Sequence, residues 1–117
     1  MPLQHCARYL RPLLSALLFV SNTQLFAHGL EPVKGLLTPE SVVQDADGKI
    51  YISEINGFGQ DGDGQIRMID HGKNTVLIKG LNDPKGLAIS GNTLYIADKT
   101  NILRVALDQT PVKAEVF

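Results

Sequence analysis

The chain has 117 residues, with 11 basic and 12 acidic side chains and a formal net charge of −1. With 44% hydrophobic and 20% charged residues it is too apolar for a disordered chain, and its balanced charge offers no basic field for nucleic acid. A single cysteine excludes a disulfide framework within the chain and a cysteine-rich zinc site.

Residues 1–27 read as a secretory signal peptide. His5, Arg8 and Arg11 give a basic start, residues 13–20 (LLSALLFV) form an apolar run, and the stretch that follows is more polar. Ala27 is the small residue before an expected cut at His28, although Leu25 is large for the usual small-x-small pattern. The apolar run is too short to cross a bilayer, which takes about 20 residues. Cys6 precedes the run, so it does not mark a lipid anchor at its end. Cleavage leaves residues 28–117, with nine basic against twelve acidic side chains and no cysteine. Such a chain needs no oxidative folding, and the expected location is the periplasm or the cell exterior, without membrane contact after cleavage.

Residues 28–38 form a lead-in, and from Pro39 the sequence repeats. PESVVQDADGKIYISEI, beginning at Pro39, matches PKGLAISGNTLYIADKT, beginning at Pro84. Tyr51 aligns with Tyr95, Glu54 with Asp98, and the stretch IRMID from Ile66 with ILRVA from Ile102. The first copy carries eight more residues between its tyrosine and that last strand, in a glycine-rich loop over 56–64.

Four strands are expected in each copy: 41–44, 50–54, 65–70 and 75–79, then 86–90, 94–98, 102–107 and 112–117. Asp47-Gly48, Asp63-Gly64 and Gly91-Asn92 supply the residues that tight hairpins favour. Ile50-Tyr51-Ile52 and Leu94-Tyr95-Ile96 are continuous apolar runs, as in strands covered on both faces. Tyr51 and Tyr95 are therefore expected to pack between stacked sheets.

A repeat of about 40–50 residues with several short strands marks a β-propeller blade. The expected fold is all-β, with two four-stranded antiparallel blades at 39–83 and 84–117, the second open to truncation. Propellers use roughly four to eight blades, so the ring is expected to be incomplete. Further blades, as in the parent of a truncated product, or self-association of copies would close it.

Chemistry is sparser than architecture. A calcium loop counted from Asp61 or from Asp45 puts the wrong residues at the ligand positions, so both Asp-Gly stretches read as hairpins. Glu54 and Asp98 recur just past the second strand, where a carboxylate can accept backbone N–H groups of a turn; a second reading makes Glu54 a general base. Loop 56–64, with Phe58 in it, is the candidate substrate-facing segment. His28 as a new N-terminus could hold copper only with His71 beside it. Ser41 and Ser53 lack a nucleophile-elbow context, and no glycine loop fits a phosphate.

PESVVQDADGKIYISEI and DPKGLAISGNTLYIADKTNILRV resemble the six-bladed propellers of the NHL-repeat type. The likeness leans toward the superfamily of gluconolactonase, senescence-marker protein and luciferin-regenerating enzyme. That resemblance implies a divalent metal, often calcium, on the central axis, held by loops leading into the innermost strands. Glu40, in Pro39-Glu40-Ser41, matches one such ligand; Lys85, in Pro84-Lys85-Gly86, departs from the pattern. The implied function is metal-dependent hydrolysis of a lactone or ester, with no complete active site in this chain and no catalytic residue assigned. The alternative is a non-catalytic propeller that binds a sugar, peptide or protein partner.

Overall fold

The computed structural model describes residues 31–117. The expected signal peptide and its expected cleavage point, with Cys6 and His28, lie outside the described residues. No helix occurs among them, and eight strands form two four-stranded antiparallel sheets. Sheet 1 runs β1 (Pro39–Gln44), β2 (Ile50–Glu54), β3 (Gly64–Asp70) and β4 (Lys73–Leu81). Sheet 2 runs β5 (Pro84–Ser90), β6 (Thr93–Asp98), β7 (Asn101–Ala106) and β8 (Ala114–Val116). Each is a simple meander, with spatial order equal to chain order.

Local chemistry accounts for the turns. Asp45 Oδ1 accepts the N–H groups of Asp47 and Lys49 at 3.0 and 2.9 Å, and Gly48 takes φ 87°. This is an aspartate turn, stabilised by a short side chain folding back on its own backbone. Gly91 turns β5 into β6 at φ 55°.

The expected Asp63-Gly64 turn is displaced. Positive φ falls on Gly62, at 85°, whereas Gly64 opens β3 and is buried. A Cβ on Gly64 would overlap Pro84 Cδ and stand 3.0 Å from the Leu81 carbonyl oxygen. This glycine serves close approach between sheets rather than turn geometry. The eighth strand is also shorter than expected, covering only Ala114–Val116.

The core lies between the sheets. Tyr51, Ile66, Ile78 and Leu81 of sheet 1 meet Leu94, Ile96, Leu103 and Val105 of sheet 2. Period-two alternation explains the division: Leu94 and Ile96 point to sheet 1, while Tyr95 and Ala97 point to the far face of sheet 2. Tyr51 fills the core as expected, and its hydroxyl donates to Asp45 Oδ2 at 3.0 Å. Tyr95 does not enter it; its ring meets that of Phe117 edge-on, with centroids 5.4 Å apart. The first strands of the two meanders, β1 and β5, lie beside each other.

Candidate functional site

Both sheets begin with the same device. In sheet 1, Pro39 pairs with Glu54 and Ser41 with Ser53, which leaves Glu40 as an extra residue. In sheet 2, Pro84 pairs with Asp98 and Leu87 with Ile96, so Lys85 and Gly86 together oppose Ala97. Glu40 and Lys85 thus sit at equivalent β-bulges, which re-aim a side chain away from regular alternation. Both are exposed.

A buried carboxylate locks each bulge from below. Glu54 is fully buried, and its Oε1 accepts the Leu37 N–H at 2.8 Å. The same carboxylate takes Arg67 Nε at 3.0 Å on both oxygens and the side-chain amide of Gln65. Asp98 does the corresponding work with backbone donors. Its carboxylate accepts Asn82 N–H at 3.0 and 3.1 Å and Asp83 N–H at 2.6 Å. The expectation of backbone-accepting carboxylates therefore holds, with one refinement. The N–H groups belong to the segment entering the first strand, not to the turn that follows. Glu54 as a general base does not fit, because both its oxygens are engaged and no substrate proton can reach them.

A serine couples the two bulges. Buried Ser53 accepts the Ser41 N–H at 3.0 Å and donates its hydroxyl to the Lys85 carbonyl at 2.6 Å. Ser53 is thereby a structural bridge between sheets rather than a nucleophile.

The meander topology gathers every element of interest at one end. Glu40, Lys85, loop 56–63 and the turn at Lys99 and Thr100 all lie where β1 and β5 start and β2 and β6 finish. Loop 56–63 leans across both sheets, since Lys99 Nζ reaches the Asp61 carboxylate at 2.6 and 2.8 Å. That hydrogen bond, aided by the attraction of the Asp61 charge, holds the Lys99 ammonium protonated to higher pH than usual. Within the loop, Asp63 Oδ2 accepts the Gly57 N–H at 2.9 Å, and Phe58 stands 79% exposed at the surface. His71 lies at the opposite end, on the β3–β4 turn, 2.6 Å from Asp70.

The donor set around Glu40 is thin. Glu40 borders an open groove of about 550 Å³ with Leu36, Pro39, Ser41, Val42 and Ile52, which are mostly apolar. Among the described residues no group of three or more His, Cys, Asp or Glu could hold a metal. Calcium takes about six to eight oxygen ligands, and Glu40 offers a single carboxylate, so these residues alone do not fit a calcium site. At the equivalent bulge Lys85 places a cation, 3.5 Å from Asp83.

Sequence reading found Glu40, Lys85, Glu54 and Asp98 but missed Gln65 and Arg67, and it named Ser53 only to reject it as a nucleophile. A signal for the missed pair was present. Gln65 and Arg67 are two apart on one strand, hence on one face; in the antiparallel partner Gln65 stands opposite Glu54, and Arg67, opposite Ile52, lies diagonal to it. Comparison with known proteins finds no matching family model, no matching curated protein and no matching solved structure.

Proposed function

We propose that the chain is an exported part of a β-propeller whose two sheets are neighbouring blades. It presents the end bearing Glu40, Lys85 and loop 56–63 as a binding face. The observation that carries this reading is the repeated unit of proline, bulge and buried carboxylate, built twice with the first strands side by side. Two separate turns of ordinary sequence would not reproduce the same bulge and the same carboxylate lock.

By this reading the chain has no complete hydrolytic site of its own. It binds a small sugar, a peptide or a protein partner at that end, with Phe58 as the exposed apolar contact and Glu40, Asp61, Lys85 and Lys99 as charged ones. The second reading follows the resemblance. Further blades with Asn or Asp at their bulge positions would complete a calcium site with Glu40, and the assembled propeller would hydrolyse a lactone or ester. Such a metal would supply Lewis-acid polarisation of the carbonyl.

One pair of assays tests whether the chain has a hydrolytic site of its own. Purified chain is titrated with calcium by calorimetry and assayed for hydrolysis of a simple γ-lactone, alongside Glu40→Gln. The expected result is no calcium-dependent turnover in either protein. Calcium-dependent hydrolysis that disappears in Glu40→Gln would overturn the first reading and make Glu40 a ligand in this chain.

A further inference from the structure

The internal repeat specifies what fits the two outward faces of the sheet pair. Within the chain, Tyr51, Ser53 and Ile66 of sheet 1 form one half of the inter-sheet contact. Leu94, Ile96 and Val105 of sheet 2 contribute to the other half. The far face of sheet 2 carries Tyr95, Ala97 and Ile102, which are the repeat counterparts of the first set. The far face of sheet 1 carries Ile50, Ile52 and Ile69, the counterparts of the second set. Each outward face therefore copies the half of the contact that would pack on the other, although on sheet 1 Ile52 is already buried within the chain and Val42 is the exposed apolar residue.

We propose that a second copy of this chain covers these faces, with the far face of sheet 2 in one molecule packing on the far face of sheet 1 in the next. The contact repeats the one already built inside each chain, so the observed interface is continued from molecule to molecule. It is head-to-tail, because neither face complements itself, and such contacts propagate into rings or open filaments. Exposed apolar side chains mark both faces: Val42 is 66% exposed on sheet 1, and Ile102 is 47% exposed on sheet 2. Gly86 adds to the fit, since a Cβ there would meet only Ala97, at 3.8 Å, so the bulge of sheet 2 leaves room beside Tyr95 and Ile102. Two arginines depart from the repeat: on sheet 1 Arg67, held by Glu54, stands where core Leu103 stands in sheet 2, and on sheet 2 Arg104 stands where Met68 stands in sheet 1, paired with Glu115 at 3.7 Å. The aliphatic stem of Arg104 can lie along the apolar face while the guanidinium stays at the rim.

The inference rests on reading the sheets as neighbouring blades, and solution mass tests it. Sedimentation of the purified full chain over a roughly hundredfold concentration range should give a species at least twice the 12.7 kDa chain mass, growing with concentration. Val42→Glu and Ile102→Glu should each reduce that species to monomer with an unchanged β-sheet circular dichroism signal. Mixed together, the two variants should form dimers and nothing larger, because each retains the face that the other has lost. Wild-type chain that stays monomeric with intact sheet signal overturns the association and leaves the blade reading standing. Wild-type chain without β structure overturns both. An oligomer broken by only one of the two variants, with no dimer in the mixture, would mean a symmetric contact and also overturns the proposal. Amide exchange on the wild-type chain supplies a check free of mutation, since protection in β2 and β6 should rise with concentration.

Discussion

Sheet 1 and sheet 2 share strand order, bulge and buried carboxylate, yet they secure that carboxylate differently. Glu54 is held by the side chains of Arg67 and Gln65 together with one backbone N–H, whereas Asp98 is held by backbone N–H groups alone. The longer glutamate reaches across to β3; the shorter aspartate reaches only the adjoining entry segment. Sheet 1 also keeps a serine at the position where sheet 2 has Ala97, and it carries the long loop. The comparison separates two kinds of conservation within one chain. Backbone devices repeat because each meander needs them, and side-chain devices differ where one sheet faces its neighbour and the other does not.

The largest expected effect lies at Glu54. Glu54→Ala strands Arg67 and Gln65 beside a buried void, and loss of one partner from a buried ion pair costs about 3–5 kcal/mol. Asp98→Ala removes only neutral donors' acceptor, at about 1–3 kcal/mol. Urea unfolding of both variants measures the difference, and equal losses would break the distinction between the two locks.

Next come the glycines. Gly64→Ala drives a methyl group into Pro84 and should cost about 1–3 kcal/mol by overpacking, whereas Gly86→Ala makes only an ordinary contact with Ala97 and should cost far less. Thermal melts of the pair check it, and a tolerant Gly64 would mean that the sheets can part without penalty.

A smaller effect separates the tyrosines. Burial first, then the hydrogen bond to Asp45, pushes the Tyr51 phenol well above its ordinary value of 10.0. The folded chain then keeps a proton that the unfolded chain loses, so stability is level below pH 10.0 and falls as pH rises above it. Tyr51→Phe should lessen that alkaline loss while costing about 1 kcal/mol at neutral pH. Tyr95→Phe, on the far face of sheet 2, should cost less at neutral pH, and chemical denaturation distinguishes the two. Some alkaline loss should persist in Tyr51→Phe, because Lys99 is also held in its charged form by Asp61.

The smallest effect is at the surface. Lys99→Ala should leave the melting temperature almost unchanged, because exposed ion pairs contribute little. It should raise amide exchange in loop 56–63, which that lysine ties to sheet 2.

Much of the architecture was legible in residue order. The repeat, the tyrosine runs and the Asp-Gly turns specify two four-stranded meanders, because alternation and turn chemistry act over a few residues. The strand bounds moved most where no local signal exists. β1 and β5 start at their prolines because the bulges extend pairing past the apolar run, and β4 lengthens to Leu81 through its own register shifts. The candidate site was legible as residues, in Glu40, Lys85, Glu54 and Asp98, but not as an arrangement.

By itself, then, the sequence determined that this chain is all-β, that it contains two copies of one unit, and which positions in the copies correspond. Only the tertiary structure decided that Glu54 is a buried lock, that Gly64 exists for close approach, and that Tyr51 is enclosed while Tyr95 faces outward. The physical reason is that these outcomes depend on which side of a sheet meets the other sheet. Period-two alternation states that a strand has two faces, but packing alone chooses which of them is covered.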